Sequence, residues 1–206
     1  MAGFRIEKKY LRRGVKYIAG VDEVGRGALF GPVIAAAVMF SPCFFNSAFP
    51  PWAGEVDDSK ALSAAKRLKL KTLILQEAMA VGLGAASVRE IDALNIHQAS
   101  LLAMARAVSR LALPPELVLV DGSGCYLKRI ALPQVAISQG DKKCGSIAAA
   151  SIVAKVFRDA LIDKLDRVFK GYDLCHNKGY GTKKHFEALR NLGPTPLHRR
   201  SFNLNL

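Results

Sequence analysis

The sequence predicts an α/β fold in which a mixed sheet is flanked by helices. Two apolar runs, at residues 17–23 and 31–40, are separated by a short glycine-containing loop, which is typical of two paired strands. Further along the chain, helical hydrophobic patterns alternate with short apolar runs. Because one hairpin is followed by crossover connections, a mixed sheet is favoured over an all-parallel one.

Caps, chain breakers and apolar spacing predict the remaining elements. A helix is predicted at 63–79 with Ser63 as its N-cap, and another begins after Asn95. A long helix that starts at residue 146 is expected to end at Gly171. We also expect a loop at 41–55, a short turn at 89–92, strands at 81–88, 116–120 and 134–138, and a short helix at 183–191.

The chain carries a large positive charge. Its 206 residues include 30 Lys and Arg against 17 Asp and Glu, which gives a net charge of +13. Most of this surplus lies between Lys142 and Arg200, where 13 basic residues stand against five acidic ones. Such an imbalance favours a polyanionic partner such as nucleic acid, and a purely solubilising surface is the alternative.

The apolar and cysteine patterns bear on the compartment. The longest apolar stretch, residues 28–40, is interrupted by Gly31-Pro32 and is too short to span a bilayer. The basic N-terminus lacks the apolar core of a signal peptide, so we expect a cytoplasmic protein with no membrane partner. The four cysteines lack CxxC spacing and are expected to be reduced, and Cys175-His176 has no second pair at zinc-finger spacing.

Four acidic residues occupy similar positions in the pattern. Asp22, Glu23 and Asp121 each end an apolar run and precede a glycine-containing turn, and Asp141 follows a strand just before a helix. Carboxylates that converge without His or Cys select hard cations such as Mg²⁺ or Mn²⁺. Two such ions, about 3.5–4 Å apart, can promote phosphodiester hydrolysis. Taken singly each acid could be a turn or cap residue, but four in equivalent positions favour a metal site.

The first acidic pair raises a geometric question. Adjacent strand residues point to opposite faces, so Asp22 and Glu23 cannot both aim at one ion from a regular strand, and we expect Asp22 to be the more central ligand. The following Gly25-Arg26-Gly27 lacks the spacing of a dinucleotide-binding loop. Its glycines either let a nucleic-acid backbone approach closely or form a tight hairpin turn, and spacing alone does not decide between the two.

Taken together, these motifs resemble the type 2 ribonuclease H family (ribonuclease HII). The resemblance covers GVDEVGRG, DDSKALS, REIDALNIHQASLLAMARAV, VLVDG, GDKKCGSIAAASIVAKVFRD and HNKGYGTKKHFEAL…GPTPLHRRSF, in the family's order from about Tyr17 to Phe202. It implies a ribonuclease H-like fold: a mixed five-stranded sheet flanked by helices, with a catalytic domain at 1–170 and a helical C-terminal extension at 171–206 that contributes to substrate binding. It also implies a metal-dependent endonuclease that cuts the RNA strand of RNA–DNA hybrids.

The family's characteristic substrate is a single ribonucleotide in duplex DNA, nicked on its 5′ side to leave 3′-hydroxyl and 5′-phosphate ends. The resemblance also assigns roles to individual residues. The catalytic and metal-binding acids would be Asp22, Glu23, Asp121 and Asp141, which hold two Mg²⁺ or Mn²⁺ ions. The substrate-binding residues would be Gly25, Arg26 and Gly27 at the ribose 2′-hydroxyl, Tyr180 stacked on the following deoxyribose, and Lys60 at a phosphate.

Some residues depart from the family pattern or compete for a role. Ala28-Leu29-Phe30 replaces the usual Pro-Leu-Ala, so Phe30 must pack near the site. Asp159 lies in the helix after Asp141 and is interpreted as a helix-surface residue or a supporting residue. Arg26 and the short N-terminal leader argue against the related type 3 enzymes, which have a GTG-like loop and an added N-terminal domain.

The alternative to an enzyme is a non-catalytic nucleic-acid-binding protein whose acids serve as turns and caps. Intact acids in all four motifs favour the enzyme, which we expect to act as a monomer.

Overall fold

A computed structural model describes residues 2–46, 48–56 and 59–205. This part of the chain folds around one mixed five-stranded sheet. Its strands are β1 Ile18–Val24, β2 Val33–Phe40, β3 Ala78–Ala86, β4 Leu117–Asp121 and β5 Gln134–Ile137. Their order across the sheet is β3-β2-β1-β4-β5. Strand β2 is antiparallel to both of its neighbours, β1 and β3, whereas β4 and β5 run parallel to β1. The predicted mixed sheet is therefore confirmed.

Helices cover the sheet and extend beyond it. They are α1 Arg5–Leu11, α2 Pro42–Asn46, α3 Ala64–Glu77, α4 Val88–Leu94, α5 Ile96–Ser109, α6 Gly140–Lys143, α7 Gly145–Asp166, α8 Leu174–Asn177 and α9 Lys183–Leu192. Helix α5 packs on one face of the sheet, and α7 with α3 packs on the other. Within the described ranges, no helix is both long and apolar enough to cross a membrane.

Two glycines allow the long helices to approach the sheet closely. A Cβ at Gly20 of β1 would lie 2.3 Å from the carbonyl carbon of Ser146 at the start of α7. A Cβ at Gly84 of β3 would lie 2.1 Å from the Ala103 carbonyl oxygen of α5. Side chains at these two positions would push the helices outward, so glycine sets the thickness of both layers.

The predicted helix starts are confirmed in detail. The Lys66 backbone N–H donates to Ser63 Oγ at 3.2 Å, which caps α3. The Gln98 backbone N–H donates to Asn95 Oδ1 at 3.1 Å, which caps α5. Both side chains satisfy N–H groups that lack a partner inside the helix.

Three local predictions are wrong. The segment 41–55 contains α2 and a 3₁₀ turn, Pro51–Gly54, because its aromatic residues fold into the core beside β2. The expected turn at 89–92 lies within α4, which Ser87 and Glu90 start with a capping box. Helix α7 ends at Asp166, before Gly171. Asp57 and Asp58 of the DDSKALS motif lie outside the described residues.

The chain beyond α7 builds a small core of its own. We call residues 171–205 the C-terminal segment. Its buried apolar residues pack with Ile162 of α7 and with Leu29 and Phe30, which precede β2; they are Tyr172, Leu174, Leu189 and Leu204. The C-terminal segment is therefore fixed to the loop that follows β1, the central strand of the sheet.

Candidate active site

The acids meet where two parallel strands separate. The pairing of β1 with β4 ends at Val21 and Val120, and the next residue of each strand is Asp22 or Asp121. The Gly140 backbone N–H donates to Asp121 Oδ1 at 2.6 Å and so holds α6 beside the end of β4. Asp141 lies in the first turn of this four-residue helix, between β5 and the start of α7, so its predicted place after a strand and before a long helix is confirmed.

One cleft of about 300 Å³ collects every residue that the sequence singled out as a site candidate. We call its four carboxylates the acidic floor; they are Asp22, Glu23, Asp121 and Asp141. The other predicted site residues that line it are Gly25, Arg26, Gly27, Lys60 and Tyr180. The structure thus brings together residues from the first strand, the centre and the C-terminal third of the chain.

Both members of the adjacent pair border the cleft, although β1 keeps its regular register with β2 through Asp22 and Glu23. Asp22 is 5% exposed, and its Oδ1 accepts the Glu23 backbone N–H at 2.7 Å. Glu23 Oε1 accepts a hydrogen bond from Arg26 Nη1 at 3.2 Å. Asp22 is therefore fixed by the main chain at the bottom of the cleft, while Glu23 is held by the loop beside it.

Burial and mutual repulsion disfavour negative charge at this pair. Burial first, then the charges of Glu23 and Asp121, raise the pKa of Asp22 well above its usual range, against hydrogen bonds from Ser151 and the Glu23 backbone. Burial also raises the pKa of Glu23, Arg26 opposes this shift, and Asp121 adds to it. The acidic floor therefore has a negative field that a cation would relieve.

The donor chemistry of the cleft fits a hard divalent cation. Its acidic residues offer carboxylate oxygens and its serines offer hydroxyls, the ligand types that suit Mg²⁺ and Mn²⁺. No three of these carboxylates, all of which the structure describes, offer ligand atoms that all lie within 4.8 Å of one another. Among the described residues, the group of three whose ligand atoms all lie within 4.8 Å of one another is Asp173, Cys175 and His176, on the surface of the C-terminal segment.

Two serines missed by the sequence reasoning support the acidic floor. Ser151 of α7 is 5% exposed and hydrogen-bonds the Asp22 carboxylate. Its Oγ lies 3.0 Å from the Oγ of Ser59, which is 2% exposed. The sequence feature that could have indicated this role is a serine within the apolar run of α7, because a buried hydroxyl normally needs a hydrogen-bond partner.

The loop after β1, residues 25–32, forms one wall and is called the glycine loop here. Gly25 has a φ of 93°, a left-handed conformation that favours glycine. The Leu29 backbone N–H donates to the Gly179 carbonyl at 2.8 Å, and Ala28 forms an isolated antiparallel bridge with Tyr180. The wall is therefore a joint structure in which the glycine loop and the segment around Tyr180 hold each other.

Phe30 anchors this wall. It is 0% exposed, its ring meets Phe169 edge-on at 5.6 Å between centroids, and it lies 5.0 Å from the ring of His198. The expectation that Phe30 packs near the site is confirmed. The sequence Ala28-Leu29-Phe30, which differs from the usual family pattern, thus anchors the glycine loop to the C-terminal segment through Phe30.

A hydrogen-bonded chain of two buried histidines fixes the Tyr180 backbone. The Thr195 backbone N–H donates to His198 Nδ1 at 2.9 Å, so the proton of this imidazole is on Nε2. That Nε2 lies 3.1 Å from Nε2 of His185, whose Nδ1 then donates to the Tyr180 carbonyl at 2.9 Å. Each imidazole is neutral in this arrangement, and burial lowers the pKa of both, that of His198 to about 4.

Helix α7 supplies charged neighbours to Tyr180. Lys155 Nζ lies 5.7 Å from the ring centroid and forms an ion pair with Asp159 at 2.8 Å. Asp159 also lies 3.9 Å from Arg67 of α3. Asp159 therefore pairs with basic side chains of α7 and α3 near Tyr180, and its role as a supporting residue stays a prediction.

Comparison with known proteins agrees with this geometry. The family model described as Ribonuclease HII matches residues 19–205. A ribonuclease HII from Trichodesmium erythraeum is 54% identical over 185 residues, covering 90% of this chain and 86% of the relative. One from Moorella thermoacetica is 50% identical over 196 residues, covering 95% and 91%.

Solved structures give the same fold. The ribonuclease H2 of Pyrococcus horikoshii superposes with a TM-score of 0.74 at 24% identity, covering 91% of this chain and 94% of that one. The RNase HII of Archaeoglobus fulgidus, solved in complex with PCNA, has a TM-score of 0.73 at 27% identity, covering 90% and 95%. The non-catalytic alternative is therefore set aside: the chain belongs to the ribonuclease HII family and is a metal-dependent endoribonuclease that acts on the RNA strand of RNA–DNA hybrids.

Proposed function

We propose that this enzyme nicks duplex DNA on the 5′ side of a single embedded ribonucleotide by two-metal-ion hydrolysis, leaving 3′-hydroxyl and 5′-phosphate ends. One observation carries the proposal: the acidic floor, the glycine loop and Tyr180 line a single cleft. A cleft with cleavage residues on one side and sugar-contacting residues on the other suits a substrate in which one nucleotide differs from its neighbours.

The four carboxylates of the acidic floor would hold the cations. When bound, two Mg²⁺ or Mn²⁺ ions would supply Lewis-acid stabilisation of the charge that develops on the phosphate. Asp22 is the central ligand in this proposal, since the Glu23 N–H and the Ser151 hydroxyl already orient its carboxylate. Such preorganised oxygens need little rearrangement when the substrate binds.

Recognition would come from the other wall of the cleft. Gly25, Arg26 and Gly27 would present main-chain polar groups to the ribose 2′-hydroxyl, the group that distinguishes RNA from DNA. Tyr180 would stack on the deoxyribose that follows, and Lys60 would contact a phosphate through its ammonium group. These assignments are supported by the position of all five residues around one cavity.

The duplex would extend from the cleft across the C-terminal segment. We propose that residues 1–170 form the catalytic domain and that the extension at 171–206 adds a basic surface for the phosphate backbone. Exposed basic residues support this path: Lys183 and Lys184 of α9 and Arg200 lie at the surface. Binding should therefore weaken steeply as the salt concentration rises.

A nicking assay tests the proposal. The substrate is a duplex with one ribonucleotide and a labelled strand, compared with an all-DNA duplex, in Mg²⁺, in Mn²⁺ and in chelator. We expect a nick on the 5′ side of the ribonucleotide in either metal and intact all-DNA duplex. Cleavage of continuous RNA–DNA hybrid without this nick would contradict the proposal.

A further inference from the structure

Two buried arginines lie beneath the glycine loop. Arg158 comes from α7 and Arg199 from the C-terminal segment, and each is 0% exposed. Neither forms an ion pair with a carboxylate in the described part of the chain. Because a buried charge is costly without compensation, the groups that these guanidiniums contact indicate why they are there.

Arg158 connects the glycine loop to the segment between α8 and α9 that carries Tyr180. Its Nη2 donates to the Phe30 carbonyl at 3.0 Å, its Nε to the Pro32 carbonyl at 3.2 Å, and its Nη1 to the Lys178 carbonyl at 2.8 Å. The guanidinium carbon lies 5.5 Å from the centroid of the Tyr180 ring. One side chain therefore fixes three carbonyls on two segments of the cleft wall.

Arg199 holds the same loop from the other side. Its Nη1 donates to the Arg26 carbonyl at 2.8 Å and its Nε to the Gly31 carbonyl at 3.0 Å. Its own backbone N–H donates to the Leu29 carbonyl at 2.9 Å. Burial and the neighbouring Arg158 lower the pKa of Arg199 to about 9, so the side chain still carries its charge at neutral pH.

The loop also depends on these arginines for its shape. A Cβ at Gly25 would lie 2.2 Å from Arg158 Nε, so the first residue of the glycine loop rests directly on the guanidinium. Main-chain hydrogen bonds to a sugar hydroxyl are lost within about 1 Å of displacement, since their strength falls steeply with distance. A small change in the support would therefore change what the loop can recognise.

We propose that Arg158 and Arg199 are positioning residues that set ribonucleotide specificity by fixing the main chain of the glycine loop. This inference rests on the proposed function, because it concerns how the loop reads a single 2′-hydroxyl. Lysine keeps the charge but lacks the planar fork of donors, so it cannot hold two or three carbonyls at fixed positions. Charge alone is thus separated from geometry by a conservative substitution.

The test uses Arg158→Lys and Arg199→Lys in the full-length enzyme. Arg106→Lys is the matched control, since Arg106 donates to the Ala85 carbonyl at 2.8 Å and pairs with Glu90 outside the cleft. The rate kcat/KM is measured on a duplex with one ribonucleotide and on a continuous RNA–DNA hybrid. For Arg158→Lys and Arg199→Lys we expect kcat/KM to fall at least about tenfold further on the single-ribonucleotide duplex than on the continuous hybrid. A difference of this size corresponds to one lost hydrogen bond to a charged group.

Cleavage of a continuous hybrid depends less on the exact position of the loop, because every nucleotide of its RNA strand carries a 2′-hydroxyl. A displaced loop can therefore still contact one of these hydroxyls in a position that allows cleavage. Amide hydrogen exchange gives a second readout without substrate. The Leu29 and Gly31 amides, which bond to the Gly179 and Leu197 carbonyls, should exchange faster in both variants relative to the amides of β1.

The outcomes separate this inference from the proposed function. Equal losses on the two substrates, or unchanged exchange in the glycine loop, would overturn the positioning role while leaving the nicking activity established. If the unmodified enzyme cuts hybrid but does not nick the single-ribonucleotide duplex, the proposed function fails, and this inference fails with it.

Discussion

The two sides of the cleft are built by different means. The acidic floor depends on strand register, since Asp22 and Asp121 are the first residues beyond the last parallel pair of β1 and β4. The glycine loop depends on side chains that are remote in sequence, such as Arg199, which bonds to a carbonyl 168 positions away. The acidic floor is therefore organised mainly by the ends of two neighbouring strands, whereas the glycine loop is held by side chains from distant parts of the assembled fold.

Removing the Phe30 side chain, which anchors the glycine loop, should have the largest effect on stability. Phe30→Ala would leave a cavity in a fully buried site and lower the free energy of unfolding by about 3–5 kcal/mol. Denaturant unfolding measures this change. The control is Phe157→Ala, a residue 44% exposed on α7, for which a much smaller loss is expected. Comparable losses in the two variants would show that the loop is not anchored through Phe30.

Removing one charge from the acidic floor should abolish most turnover without loosening the fold. In Asp121→Asn the amide oxygen can still accept the Gly140 N–H, but one negative charge is lost. We expect kcat to fall about 100- to 1,000-fold with little change in thermal stability. Glu187→Gln, an exposed acid on α9, is the control. Unchanged turnover in Asp121→Asn would remove this residue from the ligand set.

The cleft wall should tolerate loss of the Tyr180 hydroxyl but not of its ring. We expect Tyr180→Ala to lower kcat/KM on a single-ribonucleotide duplex about tenfold, because the apolar ring face that would cover the deoxyribose is lost, a burial that contributes about 1.5 kcal/mol. Tyr180→Phe keeps this ring face and should remain within about threefold of the unmodified enzyme, since the apolar area that it buries is about the same. Steady-state kinetics on both variants decide, and equal losses would show that stacking is not what the ring provides.

The histidine chain predicts a modest loss of stability in acid. Because the folded-state pKa of His198 is about 4, below the usual value of 6.5, the unfolded chain binds more protons between these values. Stability from this group is complete above pH 6.5 and is lost as the pH falls towards 4. Denaturant midpoints measured from pH 7 to pH 4 should fall less steeply in His198→Gln, whereas His97→Gln, at an exposed position, should follow the unmodified protein. Parallel curves for all three proteins would contradict a buried neutral pair.

The contrast between features set by local sequence patterns and features set by long-range packing explains what the sequence could predict. The hairpin, the caps Ser63 and Asn95 and the strand-end acids follow from local periodicity and hydrogen-bonding chemistry, and they appear as expected. Helix α7 ends at Asp166, before the glycine that was expected to end it, because tertiary packing decides where the helix stops. Helix α4 forms where a turn was expected, because a capping box starts a helix there.

Long-range support for the site could not be predicted in this way. Arg158 and Arg199 counted towards the basic surplus of the C-terminal third, yet both are buried and neither belongs to an exposed basic surface. Likewise, nothing in the local pattern pairs Ser151 with Ser59, 92 positions apart. Such contacts depend on how elements pack, which periodicity does not specify.

We propose that one side of the cleft cuts the RNA strand while the other selects the ribonucleotide. Three duplexes that differ at one sugar, carrying a 2′-hydroxyl, a 2′-hydrogen or a 2′-O-methyl group, test this division when they are assayed for both binding and nicking. We expect nicking of the hydroxyl duplex alone, with binding at low salt within about tenfold for all three, because phosphate contacts dominate affinity. Equal nicking of the 2′-hydrogen duplex would contradict it.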